Sequence, residues 1–223
     1  MLPRSAYKIA AQLRWRGLTL SGTHIGHRIP VVPGHRRKRD FFMQQATAQT
    51  SLIEDFTAAA IQAVATVEIV DRSSAALCAA IRQAVGDAGR ILYAPPRELP
   101  ASLFSEFAAD PRVRANPTPE EMVNSAAGVT EAFAAVASTG SVCIDTSFES
   151  TGIVSLMAPL QVAVVAAESI VSQPRDLFRA DVLEGRGLKR DFVFVTGPSA
   201  TADMGPLVRG VHGPHKLHII VLR

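Results

Sequence analysis

The sequence predicts an α/β fold built on a mainly parallel sheet flanked by helices, with one β-hairpin inserted. Three observations predict it. Short β-capable runs alternate with helical periodicity from about residue 44 to residue 128, the rhythm of strands joined by crossover helices. The last two β-capable runs, 192–196 and 217–222, are continuously apolar, as strands covered on both faces are. Between the runs Ala132–Ala137 and Ser141–Thr146 lies Ser138-Thr139-Gly140, where Gly supplies the positive φ that a tight hairpin demands.

The elements follow in order. Apolar spacing makes Met43–Val64 a helix and "TVEIV" 66–70 a short strand. Ser73–Val85 is a helix opened by a Ser-Ser cap, and 86–89 is a break. "RILYA" 90–94 is a strand stopped by Pro95-Pro96, and Leu99–Ala109 is a short helix. "PTPEEMVNSAAG" 117–128 reads as a helix, with Pro119 and two Glu in its first turn. A short helix near Gly152–Met157, the strand "LQVAVVA" 160–166 and a helix around Arg175–Leu183 lead to the two final strands.

A chain of 223 residues that is 48% hydrophobic can bury a substantial core, and residues 43–223 read as one domain. The longest apolar run, 153–167, is broken by Pro159 and Gln161 and falls short of a bilayer span of about 20 residues. Aromatic residues make up only 6%, which argues against a stacking platform for nucleic acid. The pI near 9.2 comes from one end of the chain. Residues 1–40 hold nine Lys/Arg and one Asp, whereas the remainder is net acidic, so no nucleic-acid partner is expected for the domain.

The basic leader 1–42 lacks the apolar stretch of a secretory signal. It reads as a disordered tail or as an extension upstream of a start at Met43, with a transit peptide or a basic arm as the alternatives. Cys78 and Cys143 are two and unpatterned, which fits a reducing, cytoplasmic compartment. Two thiols cannot build a four-thiolate iron–sulfur or zinc site.

The stretch with the most chemistry is "TGPSATADMGPLVRGVHGPHK". Three Gly-Pro pairs, at Gly197, Gly205 and Gly213, stiffen a connection rich in hydroxyls. Gly197-Pro198-Ser199 leaves a strand at its carboxyl end, where open α/β sheets bind ligands. Ser199 and Thr201 could then cradle a small carboxylate or phosphate, or simply cap a one-turn helix ending at Gly205. Asp203 is the loop's one carboxylate, able to act as a base or to bond backbone in an Asx turn. His212 is the best placed of His212, His215 and His218 for acid–base work. The spacing of the three argues against a metal site, because steps into a strand alternate faces.

The segments "GVTEAFAAVASTGSVCID", "SLMAPLQVAVV" and "TGPSATADMGPLVRGVHGPHKLHIIVL" resemble the LUD-domain family of the lactate-utilisation protein C type. That resemblance implies a fold like the NagB/RpiA/CoA-transferase group. It also implies a part in oxidising L-lactate to pyruvate with partner proteins that carry iron–sulfur clusters, no cofactor being held in this chain. The matching positions are Thr139, Gly140, Gly197, Pro198, Ser199, Thr201, Ala202, Asp203, His212, Gly213 and Pro214. The resemblance carries over these positions as a motif and no catalytic roles; the residues themselves make Asp203 and His212 the catalytic candidates and the others a ligand-binding set, with no metal ligands. Three charged positions of the family are absent: Ser138 precedes the Thr-Gly, Ala200 stands in the Gly-Pro-Ser step, and no Arg occurs in "STGIVSLMAP". The first of these is acidic in the family and the other two are Arg; where such a cation binds the substrate anion, its loss removes a charge-assisted bond worth roughly 1.5–3 kcal/mol. A stand-alone small-anion or transferase-like enzyme, and a non-catalytic assembly protein, are the alternative functions.

Overall fold

The computed structural model describes residues 34–87, 89–147, 149–179, 191–203 and 205–223. Helix α1 (Gly34–Gln62) leads into β1 (Thr66–Val70), and α2 (Ser74–Val85) into β2 (Arg90–Tyr93). A 3₁₀ turn (Ala101–Phe104), α3 (Ser105–Ala108) and β3 (Val113–Arg114) precede α4 (Pro119–Val123) and β4 (Ser125–Ala132). The hairpin β5 (Ala134–Val136) and β6 (Ser141–Asp145) is followed by α5 (Glu149–Met157) and β7 (Leu160–Ala166). Then come β8 (Ile170–Val171), β9 (Phe192–Val195), the short pair β10 (Ala200–Thr201) and β11 (Val208–Arg209), and β12 (Lys216–Leu222).

The main sheet has six strands in the order β1-β12-β7-β4-β2-β3, and every pairing in it is parallel. Alternate residues of its central strands face two different cores. Val162 and Val164 of β7, with Ile220 and Leu222 of β12, pack against Leu77, Ile81, Phe104 and Phe107 of α2 and its neighbours. Ala163, Val165, Ile219 and Val221 face the other way, onto Phe56 and Ala60 of α1 and onto Val142 and Ile144 of β6. The expectation of a parallel sheet between helices with an inserted hairpin therefore holds, and the hairpin is part of a second layer.

That layer is a four-stranded sheet in the order β8-β5-β6-β9. The chain turns back at Phe133, so β5 recrosses one face of the main sheet and its tip reaches the end of α1. Strands β6 and β9 are antiparallel. β9 therefore finishes near Ala63, beside the amino ends of the parallel strands.

Several sequence readings need correction. Residues 34–42, read as leader, belong to α1: past Gly34 the run contains no helix-breaking residue. The helix 117–128 stops at Val123. Thr118 and Glu121 do form a capping box, but from Ser125 the chain pairs with β2 and β7 and buries six of its eight residues. Ala132 closes β4 rather than opening the hairpin. β9 is an edge strand, not one covered on both faces, and Val193 and Phe194 are about 40% exposed. Pro174–Phe178 is a 3₁₀ turn, and the rest of the helix expected there lies outside the described residues.

Candidate functional site

The hairpin tip and the exit from β9 are tied together by hydroxyls. Ser141 Oγ lies 2.7 Å from Thr139 Oγ1 and 2.7 Å from Thr196 Oγ1. Gly140 and Gly197 are both buried, with φ of 65° and 68°. A Cβ on Gly140 would run into the backbone of Ala59 and Ala60, and one on Gly197 into the Ala63 carbonyl. The structure thus places these two glycines as close-packing points beneath the end of α1.

From Gly197 the chain does not form the capped helical turn that Ser199 and Thr201 could have opened. It makes a two-stranded ribbon, with Ala200 opposite Arg209 and Thr201 opposite Val208. The Ser199 N–H donates to the Pro214 carbonyl at 2.9 Å, and the Gly210 N–H to the Ser199 carbonyl at 2.8 Å. Thr201 Oγ1 donates to Asp203 Oδ2 at 2.8 Å, so the carboxylate is held by its own loop. Asp203, Thr201 and His212 line one cleft of about 350 Å³ with Val208 and Val211. His212 and Gly213 also line a neighbouring cleft of about 430 Å³ with Leu156, Met157 and His215.

The ribbon lies at the amino edge of the main sheet, which corrects the expectation of its carboxyl edge. The His215 N–H bonds the Pro159 carbonyl just before β7 begins. Gly197 does follow the carboxyl end of β9, but β9 runs opposite to the main sheet's local direction. A third cleft of about 560 Å³ opens there, lined by Thr66, Pro198, Arg209, His215, Lys216 and His218. His218 Nδ1 is 2.8 Å from Thr66 Oγ1, and its Nε2 is 3.6 Å from Glu68, an ion-pair distance without a hydrogen bond. Burial lowers the pKa of His218 below its usual 6.5, with Glu68 opposing.

At the carboxyl edge the sequence reading passed over Glu131. Its carboxylate accepts the backbone N–H of Arg97 at 2.7 Å and those of Glu98 and Leu99, pinning the loop after β2. The one charged residue in a strand of small, otherwise uncharged residues was the available signal. The cleft beside it, about 220 Å³, is lined by Arg72, Glu98, Glu131, Phe133, Glu168 and Ser169. Arg72 is ion-paired to Glu168. This edge is where such folds take ligands, but its carboxylates outnumber its cations.

The signature of the LUD domain matches residues 103–222, which span the hairpin, β7, the ribbon and β12. The chain belongs to the LUD domain family. It is similar to "Lactate utilization protein C" of Deinococcus radiodurans, 30% identical over 155 residues, covering 67% of this chain and 70% of that protein. It is also similar to "Lactate utilization protein C" of Bacillus subtilis, 33% identical over 99 residues, 43% of this chain and 41% of that protein. A crystal structure of a DUF162 family protein from Deinococcus radiodurans shares the fold, with a TM-score of 0.57 at 20% identity. It covers 78% of this chain and 98% of that one.

This LUD domain buries both of its cysteines, and no disulfide joins them. Cys78 lies on the buried face of α2, where burial raises its thiol pKa. Cys143 sits in a separate cluster with Leu177 and Phe133. Among the described residues no three His, Cys, Asp or Glu side chains converge as metal ligands. No helix among them is long and apolar enough to cross a membrane.

Proposed function

We propose that the chain is the non-cluster subunit of a cytoplasmic L-lactate utilisation system that oxidises L-lactate to pyruvate with iron–sulfur partner proteins. The observation that carries this reading is the similarity to two proteins named for lactate utilisation, within a family match that includes the whole ribbon. The oxidation releases two electrons and two protons. With two buried thiols and no converging metal ligands among the described residues, the chain leaves the electrons to its partners. Its own residues bind and manage protons. Ser199, Thr201, Gly213 and Pro214, with Thr139 at the hairpin tip, shape the ribbon's hold on a small carboxylate. Asp203 and His212, on one cleft, are the groups that take up protons.

A stand-alone enzyme of this fold would seat its substrate at the carboxyl edge. There Glu98, Glu131 and Glu168 face a cleft whose one Arg is already paired, a poor setting for an anion. The ribbon reading is the stronger one. Its test is lactate-dependent dye reduction by the assembled system, with Asp203→Ala and His212→Ala. Both side chains are exposed, so the variants should fold, and each is expected to lower the rate at least tenfold. Full activity in both folded variants would overturn the assignment.

A further inference from the structure

The three amino-edge clefts form one surface. The largest shares Pro159 and His215 with its neighbour, and that neighbour shares Val211 and His212 with the third. The surface is amphipathic. Val64, Leu156, Met157, Leu207, Val208 and Val211 are each 48–59% exposed on or beside it, an unusual density of bare aliphatic groups. Arg209, His212, His215 and Lys216 stand among them, and Asp203 is the only carboxylate among the described residues that line the three clefts. That carboxylate is taken up by Thr201. Among the described residues no Phe, Tyr or Trp lines the surface, so no large aromatic platform is offered to bases.

We propose that the rim of this edge, formed by Val208, Arg209 and Lys216 with the bare aliphatic groups beside the Asp203–His212 cleft, is a docking groove for an acidic, apolar-faced segment of a partner protein. The inference rests on the reading of the chain as one subunit of a complex and names the surface that makes the contact. Charge selects the occupant. A second copy meeting this face through a two-fold axis would set cations against cations. Residues 1–33 of the chain itself carry five Lys/Arg and no acid, so they are repelled as well. An acidic segment is attracted, and its apolar residues cover the aliphatic groups. The Gly-Pro steps hold the ribbon in shape beforehand, which lowers the ordering cost of binding.

The test uses the full chain and iron–sulfur partner proteins purified from lactate-grown cells. Association is measured by calorimetry for wild type, Val208→Asp, Arg209→Glu and Lys216→Glu, with Arg223→Glu at the opposite edge as control. All four positions are exposed, and circular dichroism confirms folding. The expected result is a weakening of at least tenfold for each groove variant, no change for the control, and an affinity that falls as salt is raised. A complex that forms equally well with every groove variant overturns the docking groove and leaves the subunit reading standing. No complex with any iron–sulfur protein overturns both. Binding of duplex DNA that depends on Arg209 and Lys216, without protein binding, also overturns the groove.

Discussion

Gly140 does two jobs that only glycine can combine. Its φ of 65° turns the hairpin, and its missing side chain lets the tip lie on the backbone of α1. Gly140→Ala adds a left-handed strain of about 1–2 kcal/mol to an overpacking cost of about 1–3 kcal/mol. A urea midpoint lowered by that amount with an unchanged slope is expected, and an unshifted midpoint would show that α1 yields freely. The turn was legible, because Ser-Thr-Gly between two β-capable runs is a local signal. The contact with α1 was not, because it joins residues some eighty positions apart. Asp110 gives a second residue-scale expectation. The Arg112 guanidinium and backbone N–H, with Arg82 nearby, hold its carboxyl at about 2 against an ordinary 3.8. A carboxyl depressed on folding adds stability that is complete above 3.8 and is lost as pH falls toward 2. Asp110→Asn should therefore be less stable at neutral pH and flatter through that window in a pH series of unfolding midpoints. Parallel curves would refute the pairing.

At the scale of elements, local chemistry was readable where one signal dominated. Ser73 was read as a cap, and its hydroxyl accepts the Ala76 N–H at 3.2 Å ahead of α2. Ser73→Ala should cost about 1 kcal/mol, seen as a lower thermal midpoint; no change would mean that water replaces the cap. β4 was misread because a strong capping box sits immediately before it. The small residues of "SAAG" carry little intrinsic β preference, and their pairing with β2 and β7 decides the outcome. Glu131 shows how that strand holds its neighbours. Its carboxylate satisfies three backbone donors at Arg97, Glu98 and Leu99, bonds of the charge-assisted kind worth roughly 1.5–3 kcal/mol. In Glu131→Ala, amide exchange at those three residues should quicken by tenfold or more while the β12 amides stay protected. Unchanged exchange would show that the loop stands without it.

Over the whole molecule, the two edges of the parallel sheet differ in charge: carboxylates crowd the carboxyl edge and cations the amino edge. The sequence contained every one of these residues, yet the side of the ribbon was not legible. It depends on β9 belonging to a second sheet with reversed direction, which no local pattern encodes. The same topology makes the ribbon separable from the fold. Ser199 and Gly210 are already joined by a 2.8 Å backbone bond, and none of the described residues among 200–209 belongs to the hydrophobic core. Replacing 200–209 by a two-residue Asn-Gly turn should therefore close across that bond with little strain. The shortened protein is expected to unfold within about 1 kcal/mol of wild type, since both cores and the six-stranded sheet remain. It should nonetheless lose partner association and lactate-dependent reduction together, because Val208, Arg209 and the Asp203 cleft go with the ribbon. Calorimetric unfolding beside the dye-reduction assay separates the outcomes. A collapse in stability would make the ribbon a structural clamp, and a stable protein that still supports the reaction would move the working surface elsewhere.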